Sequence, residues 1–369
     1  MAASYAVYLK DVNGNMLAAL TQFKSLYLML SVGVVGNLAL DIPYDTFDAT
    51  FFDPDSILEV WRSVDGGLPY LVGGRLNFAR VVTAQLGQDG QKLYHVEGRD
   101  TVDLLNRKII PYNTGTAQAS KTGPTDDVMK SYVNDNSGSG ATDWLKQTGR
   151  SLTPWLGIQP NVSAAPSISK DAGSRSLLMT LQEAALSAYQ AGTYTVFDVV
   201  SLVPPTGIGL EFRTYTQQRG ADHRVISTTN KPVLLSAEDG NLVDLEFMKD
   251  WSGVINTTYC GPQGFYQDTA AASFSVFART EDYINPLQST SGSAQNAEAA
   301  QHVRDMRLKK TWSARFVDTP GVKFGRDLDF GDFCSARFGW ETVDVRLDSL
   351  AITLAGGEER IDLLLRSDT

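Results

Sequence analysis

Basic residues are in the minority in this 369-residue chain: 32 Lys and Arg stand against 42 Asp and Glu, a net charge of −10. A protein that coats nucleic acid through its phosphates needs the opposite balance, so that class is excluded. Cysteine is scarcer still. Cys260 and Cys334 are the only two, too few for a disulfide framework, and two buried thiols are the expectation. Histidine occurs at 95, 223 and 302, never with a second His or Cys at ligand spacing, so no zinc site is expected. Long apolar runs are also missing. The most apolar stretch, residues 26–40, is broken by Ser31 and Asn37 and falls short of the ~20 residues of a membrane-spanning helix. The start, Met1-Ala2-Ala3-Ser4-Tyr5, carries neither the basic nor the apolar segment of a secretory signal. Residence or assembly in a cytoplasm is therefore expected.

What is present suffices for a large core. Hydrophobic residues make up 43% of the chain and charged residues 20%, as in ordinary globular proteins, and the length allows two or three domains. Residues 5–100 read as a β-meander. Residues 5–10 and 26–30 alternate, 57–63 is another short strand, and the turns Asp11-Val12-Asn13-Gly14-Asn15, Asp65-Gly66-Gly67 and Gly87-Gln88-Asp89-Gly90 fall at short intervals. Thr101 then caps a short helix over 101–107, and acids at 126 and 127 open a second one. Polar stretches 113–123 and 134–140, and the Pro/Ser/Ala-rich 157–173, read as loops. A clearer helix spans 176–191, with Leu177, Leu181, Ala184, Ala185 and Ala188 on one side and Gly192 as its stop.

Strand patterns return over 193–203, which ends in Pro204-Pro205, and over 209–216, 242–248 and 252–259. Residues 285–300 are rich in Ser, Gln, Asn and Ala, and a weak helical pattern follows over 297–310. Residues 311–365 are again β, punctuated by glycines. The predicted class is α+β, mainly β, with no βαβ rhythm.

Catalytic patterns do not assemble. Asn136-Ser137-Gly138-Ser139-Gly140 has the letters of a nucleophile elbow but the composition of a flexible loop, with no strand before it. Gly87 to Lys92 lacks the spacing and hydroxyl of a phosphate loop, and Gly207-Ile208-Gly209 lacks a third glycine. The acidic run Asp327-Leu328-Asp329-Phe330-Gly331-Asp332 does not match a calcium loop, since its Gly falls one place early and position 338 is Phe. A turn in which aspartates cap backbone amides explains it with fewer assumptions. Trp61, Trp144, Trp155, Trp251, Trp312 and Trp340 are dispersed and read as core or interface anchors. No residue is assigned to catalysis, to a cofactor or to a metal.

Two motifs carry a family resemblance. Gly98-Arg99-Asp100 leads into Leu104-Leu105-Asn106-Arg107-Lys108-Ile109-Ile110, and Phe324-Gly325-Arg326-Asp327-Leu328-Asp329-Phe330-Gly331-Asp332 follows near the other end. With Ile57-Leu58-Glu59-Val60-Trp61-Arg62 and Gly74-Arg75-Leu76 in the same order, the chain resembles the tail-hub and baseplate-hub proteins of siphophages with long non-contractile tails. Phe324 stands where such proteins more often carry Tyr, and 285–300 has the look of an insertion. The resemblance implies two β-barrel-like tube domains with helices and loops inserted between them. The regions would be 1–112, 113–194 and 195–369, with Gly98, Arg99, Asp100, Gly325, Asp327, Asp329, Gly331 and Asp332 as structural motif residues.

It further implies a structural virion component at the tail tip, assembled in the host cytoplasm. This would be a homotrimeric ring in contact with the tail tube or distal tail protein, the tape measure protein and tip or fibre proteins, with DNA only as passing cargo. An acidic chain suits such a channel, because like charge repels phosphate. The competing expectation is a tail-tip receptor- or carbohydrate-binding protein that uses exposed aromatics with Asp327, Asp329 and Asp332.

Overall fold

Period-two alternation builds the hairpin strands Ser25–Ser31 and Val34–Pro43, each of which buries alternate side chains. The computed structural model describes residues 3–44, 52–86, 90, 92–111, 120–141, 149–202, 209–268, 279–285, 292–306, 309–339 and 341–367. The expected turn at 87–90, the loop 113–123 and the segment 285–300 lie partly outside these residues. Pro204-Pro205, Trp144 and Trp340 lie wholly outside them. The chain divides into two compact units, Met1–Leu245 with Ser313–Asp368, and Glu246–Trp312.

In the larger unit, β1 (Ser4–Lys10) and β2 (Met16–Leu20) form the first hairpin. Asp11 shapes its turn by accepting the backbone N–H groups of Asn13 and Asn15 at 2.9 and 2.8 Å, while Gly14 takes the left-handed φ of 84°. β3 (Ser25–Ser31) pairs with β4 (Val34–Pro43), placing Leu26 opposite Leu40 and Leu28 opposite Leu38, all buried. The most apolar stretch of the sequence is thus a buried hairpin. β5 (Ile57–Ser63), β6 (Asn77–Leu86) and β7 (Lys92–Asp100) complete the meander.

A helical layer follows: α1 (Asp103–Asn106), α2 (Thr125–Ser137) and α3 (Leu177–Gln190). Thr101 does not cap α1. Its hydroxyl donates to the Val199 carbonyl, and Asp100 Oδ1 accepts the Val102 N–H at 3.1 Å instead. α2 runs into the stretch expected as a loop at 134–140. The extension is stable because Asn136 is buried and donates to the Tyr132 carbonyl at 2.8 Å, and the helix stops at Gly138. Within 157–173, also expected as a loop, Ser167–Asp171 pairs with Ser120–Pro124. α3 matches its sequence pattern closely, with Ser176 accepting the Met179 N–H as N-cap and Leu177, Leu181, Ala184 and Ala188 buried. It packs with α2 over β8 (Thr195–Ser201) and β9 (Leu210–Thr216), around stacked Phe197 and Phe212 rings 5.9 Å apart.

The C-terminal strands return to the first sheet. β10 (Phe333–Phe338) pairs with the first part of β11 (Glu341–Ala355), whose second part lies against β3, Leu350 opposite Leu30 and Ile352 opposite Leu28. β12 (Glu358–Ser367) closes the hairpin through Gly356-Gly357, at φ 61° and 83°. Among these strands the order is β12-β11-β3-β4-β7-β6-β5-β1-β2. β12 and β5 stand six places apart in it, yet Arg62 Nε lies 2.8 Å from Glu359 Oε1. The sheet therefore curls round its leucine-rich core, although no closed barrel is present among the described residues. The fold is mainly β, and strands of the first and third regions expected from sequence share this one sheet.

In the smaller unit, Thr257–Cys260 is flanked by Gly264–Gln267 and Glu281–Ile284. Helix Gly292–Asp305 buries Ala299 and Val303. The strand expected over 252–259 is shorter than its pattern, because Asp250 turns the chain by accepting both the N–H and the hydroxyl of Ser252. Both cysteines are free and buried.

Candidate functional site

The two motif regions, far apart in sequence, meet in the larger unit through buried charge. Arg75 follows a single 3-10 turn (Val72–Gly74) in which Gly73 and Gly74 take left-handed φ values. Its side chain is wholly buried. It donates to Asp100 and to the Ser31 carbonyl at 2.9 Å, and its Nε lies 2.8 Å from Asp198 Oδ1. Asp198, also wholly buried, accepts from Arg219 Nε at 2.5 Å. Arg219 in turn donates to the carbonyls of Phe330 and Gly73 at 2.7 and 2.6 Å. The guanidiniums of Arg75 and Arg219 lie 5.2 and 4.6 Å from the Phe330 ring centroid. Two cations and two carboxylates thus form a neutral chain that leads from Asp100 to the turn at 330. Burial pushes Asp198 up, but its two guanidiniums outweigh that and hold it below the usual carboxylate range.

A second buried cation sits beside the first. Arg62 donates to the Phe324 carbonyl at 2.5 Å, to Asp318 at 3.0 Å and to both oxygens of Glu359 at 2.8 and 3.0 Å. Asp318 also accepts the Phe324 N–H at 2.8 Å. Here a strand of the meander, the last strand and the 318–324 segment share one guanidinium, whose planar fork of donors suits several acceptors at once.

The motif residues take different places around these ion pairs. Gly98 is buried in β7, where a Cβ would stand 3.2 Å from the Phe78 carbonyl. Arg99 is exposed and reaches Asn37, outside the buried chain. Gly325 takes φ +80°, and a Cβ there would lie 2.0 Å from the Tyr70 ring. Asp327 accepts from Lys231 at 2.8 Å and from the Lys323 N–H at 2.9 Å. Asp329 accepts the Phe330 N–H at 2.7 Å, and its burial pushes its pKa up to about 6. Gly331, at φ +90°, packs against the Arg219 side chain and accepts the Gly220 N–H at 2.8 Å. Asp332 accepts the N–H groups of Ala221 and Asp329 at 2.7 and 2.6 Å.

The acidic run is a turn whose aspartates accept backbone amides of its own segment (Lys323, Asp329 and Phe330) and that of Ala221, as its residue types suggested. Its carboxylates face the protein, so they offer no acidic platform to a sugar. Among the described residues no group of three or more His, Cys, Asp or Glu could hold an ion. What the arrangement does is fasten. It ties the meander, the helical layer and the C-terminal strands to one another.

Arg62 and Arg75 lie within the sequence motifs, whose spacing assigns them no role, and Asp198 and Arg219 lie outside any motif. A signal existed for Asp198: it interrupts the apolar run Phe197-Asp198-Val199-Val200, and a carboxylate in a buried strand needs a cationic partner. Arg219 lies in a polar turn with no such signal.

Comparison with known proteins gives no matching family model and no matching curated protein. Among solved structures, the chain is similar to the 43 kDa tail protein of prophage MuSo2 from Shewanella oneidensis, with 10% identity and a TM-score of 0.61 over 99% of this chain and 98% of that one. It is also similar to a tail protein from Neisseria meningitidis MC58, with 13% identity and a TM-score of 0.56 over 99% and 97%. A third likeness is to the prophage tail protein gp18 from Listeria monocytogenes EGD-e, with 9% identity and a TM-score of 0.50 over 97% and 94%. These likenesses establish a shared fold, seen in prophage tail proteins, along nearly the whole chain.

Proposed function

We propose that this chain is a structural component of a phage tail, a hub that forms a homotrimeric ring at the distal end of the tail tube. The observation that carries the proposal is the end-to-end fold likeness to prophage tail proteins from Shewanella and Neisseria. The curled sheet with its leucine core supports a first tube-like domain, filled by strands from both ends of the chain. The region 195–369 would supply a second, and 113–194 the inserted helices. In this reading the buried ion pairs are structural, and Gly98, Arg99, Asp100, Gly325, Asp327, Asp329, Gly331 and Asp332 shape the fold without performing chemistry. The ring would contact the tail tube or distal tail protein, the tape measure protein and tip or fibre proteins at the virion tail tip. Its net charge of −10 favours passage of DNA over binding it.

Light scattering on the purified chain, followed by negative-stain imaging, tests this. Three copies per particle in a ring with a central hole are expected. A strict monomer that is also absent from tail particles would overturn the hub assignment.

A further inference from the structure

α3 carries a second apolar stripe besides the one that faces the core. Ala185, Leu186 and Tyr189 recur at helical spacing, and with the polar Gln182, the β3–β4 turn and the residues 194–197 they line a groove of about 280 Å³. Its apolar wall is left open: Leu186 is 48% and Val34 43% exposed. Two polar groups accompany that wall. Thr195, 2% exposed, has a hydroxyl with no hydrogen-bond partner among the described residues. Arg366, exposed on β12, rests over the Tyr189 ring at 4.7 Å and has no ion pair among the described residues. Asp348 accepts the Tyr194 hydroxyl at 2.7 Å, and the charges of Arg366 and Arg346 both act on it. Gln182 donates to the Gly33 carbonyl at 3.0 Å.

We propose that this groove binds a segment of a partner polypeptide that presents an aliphatic side chain next to a carboxylate. Charge complementarity selects that occupant. The site offers the exposed Arg366 guanidinium, which makes no ion pair among the described residues, beside an apolar wall, while the neighbouring Asp348 is already bound by the Tyr194 hydroxyl, so an anionic head on an aliphatic body satisfies both parts. The volume lies at the lower edge of small-molecule sites, which start near ~300 Å³. It admits one or two side chains and excludes a nucleotide or an extended cofactor. The inference stands apart from the hub reading, since it needs neither a ring nor a tail.

The test uses the full chain with labelled valine and leucine methyls and three probes: Ac-Leu-Glu-NH2, Ac-Leu-Gln-NH2 and octanoate. The acidic peptide is expected to shift the Val34 methyls and to bind about tenfold more tightly than its amide twin. Arg366→Gln removes that difference, and Leu186→Lys abolishes binding of both peptides while the circular dichroism spectrum stays unchanged. Equal binding of the two peptides, or no shift at Val34 with either, overturns the proposal. Shifts with octanoate alone overturn the polypeptide assignment in favour of a free aliphatic acid.

Discussion

Replacing Arg75 by Met probes the buried chain of charge most directly. The methionine keeps much of the apolar stem and removes a guanidinium that serves Asp100, Asp198 and the Ser31 carbonyl. Asp198 retains Arg219 at 2.5 Å, whereas Asp100 keeps no cation and relies on backbone N–H groups such as that of Val102 at 3.1 Å. Removing one partner of a buried pair strands the other charge and costs about 3–5 kcal/mol. That is a large share of the ~5–15 kcal/mol that holds a typical protein folded. Most of the loss should come from Asp100, so Asp100→Asn in the Arg75→Met background should recover about 2 kcal/mol or more, making the pair strongly non-additive. The assay is urea unfolding read by amide exchange at Leu28, Leu30 and Ile352, whose strands pair across the larger unit. A loss below about 1 kcal/mol, or strict additivity with Asp100→Asn, would refute the reasoning, because it would mean that the site is solvated.

Gly325→Ala should destabilise by about 2–5 kcal/mol in thermal melts, since its φ is +80° and the new Cβ would strike the Tyr70 ring. Gly356→Ala, at φ +61° with nothing within 4 Å, should lose only about 1–2 kcal/mol, and equal losses would count against the packing argument. Asp329, pushed up to about 6 by burial, binds its proton more readily folded than unfolded. Its contribution is present near pH 4 and is lost as pH rises to about 6, by at most ~1.4 kcal/mol per unit. Asp329→Asn should therefore gain stability relative to the parent between pH 4.5 and 6.5, and a constant difference across that range would contradict the assignment. Cys334 is wholly buried, and burial, then Asp332 and Asp344, push its thiol far up. In a Cys260→Ser background it should stay unreactive to Ellman's reagent at pH 8 until urea unfolds the larger unit, whereas rapid labelling of the native protein would show that the site is open.

Local structure was legible wherever one residue's own chemistry sets it. The Asp11–Asn15 turn and the amide-capturing aspartates at 327–332 follow from side chains acting on nearby backbone, and the Leu177/Leu181/Ala184 face of α3 from its spacing. Misreadings arose where polar residues find partners within the fold. Asn136 extends α2 because its amide is satisfied inside the protein, and Thr101 leaves α1 uncapped because the Val199 carbonyl is within reach. Alternation alone determined that the chain is mainly β and that residues 26–30 form a strand. Only the tertiary structure decided that β11 lies against β3, and that Arg62, Arg75, Asp198 and Arg219 join the two ends of the chain. A strand's period specifies which face is buried but not which strand is its neighbour. A buried charge likewise announces that it needs a partner, and only the folded chain supplies which one.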